Sequence, residues 1–489
     1  MSKRLFFITA AFLLFFAGTC LYWFYTVEDA FISFRYCDHM LEGKGLVFNP
    51  GDRVEGYTNF LWILLIALPR CFLDFPFAAK ATGFVLGLIL LLTLSETAGD
   101  RKKDKLSGPL AAFIVAACPG IQMWAVAGLE TILFTLCLVS AVYFHEKNNS
   151  SGRYFCGICF GLSTLTRPEG LLFFVLFAIT VFFIFRTHPK NRMEYLIGYS
   201  LIFLPHIIFR YIYYQAWLPN TFWVKSHRFQ GGGWAYFKRY AAMTGIVTVP
   251  IACYGLFDKN LRKTALPLIV MGIGYLIYVY HIGGDWMPYG RFIVPVIPLF
   301  ALAAARSWTN EGKDALRRSI GIVLTAGILI SVTSTKYDLL RWRPTRYFEI
   351  LTWENEHMKD WKLVGEWLNQ SFPDKTVLST GLAGIIPYYS KFVTIDRGGL
   401  NDKEIAQIIY RAQSELEEKK EIERVIISRK PDVVLIEESS FDMLRKSPVM
   451  KENQHTKNSD FLALYSIKTS VVEERFFSYY VLKDAYLEE

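Results

Sequence analysis

The sequence predicts a polytopic α-helical membrane protein that carries a soluble α/β domain at its C-terminal end. Three observations carry that prediction. The 489 residues are 53% hydrophobic and 16% aromatic, with a mean hydropathy of +0.26, more apolar surface than a water-soluble core of this length uses. Apolar runs of roughly 17–25 residues, long enough to span a bilayer, recur from the N-terminus to about Thr335. After that, residues 336–489 are rich in Lys, Glu, Asp and Arg and keep only short apolar stretches. The chain is therefore expected to divide into a membrane domain, 1–335, with an outer loop at 26–57, and a soluble domain, 336–489, long enough for its own core.

The apolar runs fall near 5–25, 77–98, 107–124, 129–146, 154–168, 170–186, 195–215, 240–257, 264–282, 290–307 and 318–335. Read as crossings, they make about eleven transmembrane helices. Basic residues orient them. Lys3 and Arg4, then Arg101, Lys102, Lys103 and Lys105, then Lys147 and Arg153, form three groups. Arg186, Lys190 and Arg192, then Lys259, Arg262 and Lys263, then Arg306, Lys313, Arg317 and Arg318, form three more. By the positive-inside rule all face the cytoplasm. The N-terminus is then cytoplasmic and the C-terminal domain extracytoplasmic. Residues 58–75, TNFLWILLIALPRCFLDF, would break this alternation if they crossed. They are read as a re-entrant or interfacial hairpin broken near Pro69, whose backbone must be shielded by protein. The net charge of +9 reflects this loop asymmetry, and nucleic acid is not an expected partner.

The cysteines add little chemistry. None of the eight lies in the C-terminal domain, which is expected to fold without disulfides. Cys156-Gly-Ile-Cys159 has redox spacing but sits in an apolar helix with no βαβ context, so it reads as structural. FAGTC, ending at Cys20, is an imperfect lipobox with no good small-residue cleavage site after it, so the first helix is expected to stay uncleaved.

Polar residues collect in the loops assigned to the outer face. The first loop holds Glu28, Asp29 and Arg35, then GKGLVFNPGDRVEGYTN with Tyr57 and Asn59; its glycines and Pro50 specify a tight fold. Later loops bring Trp124 and Glu130, then Arg167-Pro-Glu169, then Trp217, Asn220, Trp223 and Lys225, and finally Asp285-Trp-Met-Pro-Tyr-Gly-Arg291. Each alone has a bland reading as a cap, a turn or an interface anchor. Together, ionisable groups at helix ends on one side of a membrane mark a functional site. Their chemistry suits a lipid-linked sugar phosphate. Arg and Lys bind the phosphate and stabilise the charge that grows as it leaves. A carboxylate takes the proton of an attacking hydroxyl. Aromatic side chains pack on the sugar ring.

At these residues the chain resembles a known group. Asp29 in the first outer loop of a many-helix protein resembles the GT-C superfamily of polyprenyl-phosphate-dependent glycosyltransferases. EDAFISFRY, GLVFNPGDRVEGYTNFLW, GLET, TRPEG, LPNTF-x-x-K, GGDWMPYGRFIVPVIPL and GLAGIIPYYSKFVTIDRGGLND are similar to bacterial membrane proteins related to the terminal β-(1→2)-arabinofuranosyltransferases. The resemblance implies a GT-C fold in a bacterial cytoplasmic membrane. It implies Asp29 as general base, with Glu28, in place of the commoner second Asp, as a second catalytic candidate that either shares the role or binds sugar. It implies a polyprenyl-phosphate sugar donor and an envelope glycan, glycolipid or protein acceptor. Arg35, Arg167, Lys225 and Arg291 are then donor-phosphate candidates. Tyr57, Asn59, Glu130, Glu169, Asn220 and Asp285 are candidates for sugar or acceptor hydroxyls, or for holding the cations. Some members use a divalent cation beside the carboxylate; this sequence shows no His/Asp cluster with ligand spacing, and none is assigned. A lipid-linked sugar transporter or flippase is the alternative. That class expects repeated halves and midplane polar residues; no repeat is seen in the sequence, and the inner apolar runs carry few charges.

In the C-terminal domain a helix is expected over 357–370 and a charged helix over 401–420. Strands are expected over 375–380, 391–396 and 432–437. Alternation of strands and helices predicts a small α/β domain, a lid or an acceptor-binding element using Tyr388, Tyr389 and Asp396.

Overall fold

The computed structural model describes residues 3–23, 26–97, 106–228, 232–240, 248–259, 261–285, 287–310, 337–338, 343–344, 346–436, 444–445, 458–473 and 475–483. The expected crossing at 318–335, the basic run from Arg101 to Lys105 and Trp286 lie outside these residues. By contact the chain forms two compact units. The first comprises 1–26, 59–209 and 229–351; the second comprises 27–58, 210–228 and 352–489. The first loop, which the sequence reading placed with the membrane domain, thus packs with the C-terminal segment.

The first unit is helical. Among the described residues, Phe75–Glu96, Pro189–Tyr214 and Arg262–Ile282 are long and apolar enough to cross a membrane. The last turns of Pro189–Tyr214 belong to the second unit. Shorter apolar helices include Thr131–Glu146, which falls on an expected run, and Ser107–Ala116. The expected run at 107–124 is not one helix. Cys118 is extended and Pro119 opens a new helix, Pro119–Val126, because a proline restricts its predecessor and cannot donate its backbone nitrogen. Residues 58–75 fold as an 11-residue helix, Phe60–Arg70, with Pro69 in its last turn. At about 1.5 Å per residue this helix is about half the thickness of a bilayer core.

Glycines set one helix pair. A Cβ on Gly157 would collide with the Tyr195 carbonyl, and one on Gly198 with the Tyr154 carbonyl. Gly161 similarly meets Ile202. Small residues four apart let the helices Ser150–Thr166 and Pro189–Tyr214 approach backbone to backbone. Cys156 and Cys159, on the same helix, are buried free thiols. A short ladder, Tyr337–Asp338 (β1) with Arg343–Pro344 (β2), closes this unit's described part.

The second unit contains a mixed sheet. Val377–Thr380 (β3) pairs in parallel with both Val393–Asp396 (β4) and Val433–Leu435 (β5). These are the three expected strands. Leu444–Arg445 (β6), Tyr465–Val472 (β7) and Arg475–Leu482 (β8) complete the sheet, with β8 antiparallel to β5, β6 and β7. The expected helix at 357–370 lies within Arg346–Ser371. The charged stretch 401–420 breaks in two. Asp402 caps Lys403–Arg411 through the Ile405 amide, Ala412 turns extended, and Ser414 caps Glu415–Arg429 through the Glu417 amide. Ile405, Ile409, Ile426, Val434, Phe461 and Tyr480 form the core against the sheet.

Candidate active site

In the second unit the first loop is held against the C-terminal segment by its polar side chains. Glu28 is buried, and its Oε1 accepts hydrogen bonds from the backbone N–H groups of Gly384 (2.6 Å) and Ile385 (3.1 Å). Only a glycine fits at 384, because a Cβ there would run into Glu28 itself. Burial, then the neighbouring Asp29 charge, push the Glu28 carboxyl from 4.5 up to about 8, against the pull of the two amides. Asp29 next to it is half-buried and begins the helix Ala30–Leu41 without making a side-chain capping bond. No hydrogen bond or ion pair to its carboxylate is found among the described residues. The sequence-adjacent pair therefore divides: one carboxyl is committed to the fold and the other is uncommitted.

Arg35 is 3% exposed. Its guanidinium donates to the carbonyls of Phe48 (2.7 Å), Phe392 (2.6 Å) and Pro387, and to Asn49 Oδ1 (3.3 Å). It also lies 4.5 Å from the Phe48 ring centroid. Its donors are spent on the protein, at odds with the expected role in phosphate binding. Tyr57 is buried, and its hydroxyl meets that of Tyr214 at 3.0 Å. The Asn220 side-chain nitrogen contacts the carbonyls of Gly399 (2.8 Å), Leu400 (3.0 Å) and Asp402 (3.2 Å). Both residues are joints within the unit. Lys225 is exposed on the helix Thr221–Arg228. Asp396 is buried and accepts from the amides of Gly398 (2.8 Å) and Asn401 (2.9 Å) and from Asn401 Nδ2 (3.0 Å); burial lifts it from 3.8 to about 6. Tyr388 packs edge-on against Phe31, with ring centroids 5.4 Å apart. Sequence reasoning missed the Glu55–Arg210 pair, with oxygens at 2.6 and 3.0 Å from the guanidinium nitrogens; two charges 155 positions apart carry no local signal.

The first unit brings together the other predicted ions. Glu130 accepts from Asn59 Nδ2 (2.9 Å) and from an Arg167 terminal nitrogen (2.8 Å). The other Arg167 terminal nitrogen reaches Glu169 Oε1 at 3.2 Å. Arg291 Nε donates to Asp285 Oδ2 at 2.9 Å. Both guanidinium groups flank the Phe292 ring, at 4.9 Å for Arg167 and 5.4 Å for Arg291. Arg291 also lies 5.9 Å from the Trp124 ring. Six residues singled out by the sequence for sugar or phosphate thus converge here: Asn59, Glu130, Arg167, Glu169, Asp285 and Arg291. A buried cation framed by two carboxylates is held in one orientation. Arg291 sits after Tyr289, which adopts a left-handed backbone (φ 57°, ψ 27°). Such strain costs about 1–3 kcal/mol and persists where surrounding structure enforces it.

Close in sequence to Arg291, Ile293 lines an apolar cavity of about 410 Å³ with Trp234, Phe237, Ile273, Tyr280 and Phe300. Among the described residues no group of three or more His, Cys, Asp or Glu side chains could hold a metal ion.

Comparison with known proteins places this fold. Residues 349–482 match a domain of unknown function (DUF8728). The chain is 26% identical over 348 residues to a terminal β-(1→2)-arabinofuranosyltransferase of Corynebacterium glutamicum, covering 60% of this chain and 49% of the relative. It is 26% identical over 346 residues to the same-named protein of Mycobacterium tuberculosis, covering 60% and 54%. The chain thus matches about half the length of these curated relatives. ArnT from Cupriavidus metallidurans, solved with undecaprenyl phosphate, superposes with a TM-score of 0.63 at 12% identity, over 97% of this chain and 99% of that one. The oligosaccharyltransferase of Archaeoglobus fulgidus superposes with a TM-score of 0.57 at 10% identity, over 89% and 70%. The chain thus shares the fold of these two solved structures and has sequence similarity to proteins named as arabinofuranosyltransferases, the group that the sequence resemblance pointed to.

Proposed function

We propose that this protein transfers a sugar from a polyprenyl-phosphate donor to a hydroxyl of an envelope glycan, lipid or protein. The setting is the outer face of a bacterial cytoplasmic membrane, with the N-terminus cytoplasmic, about eleven crossings and the 336–489 domain extracytoplasmic. The observation that carries the reading is Asp29: a half-buried carboxylate, uncommitted to the protein, beside a Glu28 that the fold ties down. A general base needs an oxygen free to receive a proton. Asp29 takes the proton of the acceptor hydroxyl as that oxygen bonds to the anomeric carbon. The bond from that carbon to the phosphate oxygen breaks, and its electron pair leaves with the polyprenyl phosphate.

Arg167 and Arg291 are the assigned phosphate ligands, with Lys225 as a further exposed cation. Arg35 is assigned a structural role instead, because its donors are engaged by Phe48, Pro387, Phe392 and Asn49. The apolar cavity beginning at Ile293 suits an isoprenoid tail. The similarity to proteins named as arabinofuranosyltransferases, and the undecaprenyl phosphate bound by ArnT, support the donor class.

The test is a transfer assay. The full-length protein in nanodiscs meets a panel of polyprenyl-phosphate sugars and a crude envelope acceptor. Asp29→Asn is expected to fold, to bind donor, and to lose transfer by a factor of about 10²–10⁴. Equal transfer by both proteins overturns the base assignment. Translocation of donor without transfer overturns the transferase reading in favour of a flippase.

A further inference from the structure

We propose that Trp124 and Tyr275 complete the donor-headgroup site, Trp124 by its indole N–H and Tyr275 by its hydroxyl. This rests on the transferase reading of the same ion cluster. Both side chains are fully buried, at 0% exposure. Neither Trp124 Nε1 nor the Tyr275 hydroxyl has a hydrogen-bond partner among the described residues.

Other buried aromatic side chains of this chain show how such groups are met. Its other buried indoles find acceptors: Trp23 Nε1 donates to Gln122 Oε1 at 3.1 Å, and Trp62 Nε1 to the Gly128 carbonyl at 3.2 Å. Two of its buried tyrosines do the same. The Tyr240 hydroxyl donates to the Met287 carbonyl at 2.9 Å, and the Tyr236 hydroxyl accepts from the Phe292 amide at 3.1 Å. A buried donor left unmade is expensive, and where one persists it calls for a reason.

The reason lies in the surroundings. The Arg291 guanidinium is 5.9 Å from the Trp124 ring. Tyr275 is within electrostatic reach of Arg167, Glu169 and Asp285, and its ring centroid lies 4.7 Å from that of Phe173. Both orphan groups therefore sit in the cluster that holds the two arginines. An indole N–H can only donate, so its missing partner is an acceptor. Beside a guanidinium, the acceptor that fits is an anionic oxygen, the phosphate of the lipid-linked donor. A phenol both donates and accepts. Among two carboxylates and an arginine, it suits a hydroxyl-bearing group, the sugar carried on that phosphate. The two residues would position the headgroup without taking part in proton transfer.

The experiment uses the full-length protein in nanodiscs and two probes, decaprenyl phosphate and decaprenyl-phosphate arabinose. Trp124→Phe and Tyr275→Phe delete the orphan groups and keep aromatic packing. For Trp124→Phe the expected result is tenfold or more weaker binding of decaprenyl phosphate. Tyr275→Phe should bind decaprenyl phosphate as the wild type does but lose at least tenfold for the sugar-bearing probe. Unliganded thermal stability should be unchanged or raised, since a buried unpaired group is removed. If stability falls in Trp124→Phe, benzothienylalanine at 124, which keeps the bicyclic ring without the N–H, decides between a lost contact and a cavity. Binding within twofold of wild type by both variants overturns the inference while leaving the transferase reading intact. A wild type that binds neither probe overturns both.

Discussion

Glu28→Gln offers a direct measurement of how the paired carboxyls are divided. Glutamine keeps the Oε1 that accepts from Gly384 and Ile385 and removes the titration. The native carboxyl titrates near 8, and the ordinary value is 4.5. Between those values the folded protein holds a proton that the unfolded chain has lost, so Glu28 makes stability fall as pH rises, and the loss is complete above about pH 8. Each pH unit in that window costs about 1.4 kcal/mol. From pH 5 to pH 8 the loss is about 4 kcal/mol. Glu28→Gln should therefore match the wild type at pH 5 and exceed it by about that amount at pH 8. For a unit of this size that is a difference of about 10 °C in melting temperature. Thermal unfolding of both proteins in the same detergent at pH 5, 6, 7 and 8 makes the comparison, and groups common to both cancel. A constant difference across the range, or a variant less stable at pH 8, would refute the burial argument. The same variant should retain transfer activity, because Glu28 is placed as a positioning residue and Asp29 as the base.

Two further perturbations separate structural from functional roles. Arg35→Lys should lower unfolding stability by about 2–4 kcal/mol, because one ammonium cannot serve the Phe48, Pro387 and Phe392 carbonyls together; unchanged stability with a tenfold rise in donor KM would make Arg35 a phosphate ligand after all. Gly157→Val forces a side chain into the Tyr195 carbonyl and should destabilise the helix pair by about 3 kcal/mol or abolish folding, read as loss of the monodisperse peak in size-exclusion chromatography; a stable Gly157→Val variant would refute the backbone-to-backbone packing.

The helical pattern was legible wherever hydrophobicity ran unbroken, as in Phe75–Glu96 and Arg262–Ile282. Three strands of the C-terminal sheet were legible for a similar reason: β3, β4 and β5 are short, mainly buried runs rich in Val, Leu, Ile and Thr. The hairpin β7–β8 was not. YSIKTSVV is polar on one face and only partly buried, so its strand character comes more from eight cross-strand pairs than from burial. Pro119 and Ser414 announced breaks that apolar content and charge density masked. The ion cluster was readable as a set, because Glu130, Arg167, Glu169, Asp285 and Arg291 are costly residues beside apolar helices. Which cations were free for a ligand was not readable. Arg35 and Arg291 look alike in sequence, and only the positions of distant carbonyls show that Arg35 is spent.

The same logic accounts for Glu28 beside Asp29. Two adjacent carboxylates at a membrane edge would repel if both were charged and close. Here the conflict is relieved by unequal burial. Glu28 is drawn against the Gly384 and Ile385 amides, where desolvation keeps it protonated near neutral pH. Its neighbour at the start of the same helix stays half-exposed. A neutral Glu28 adds no like charge beside Asp29, and its bonds to residues 384 and 385 fix the backbone from which Asp29 projects. Longer by one methylene than aspartate, glutamate reaches those amides, and this gives a physical reason for Glu in place of the commoner second Asp. Glu28→Asp should then shorten the reach, loosen the first turn of Ala30–Leu41 and lower kcat more than it changes KM. A Glu28→Asp enzyme with wild-type kcat would show that the position of Asp29 is set by other contacts.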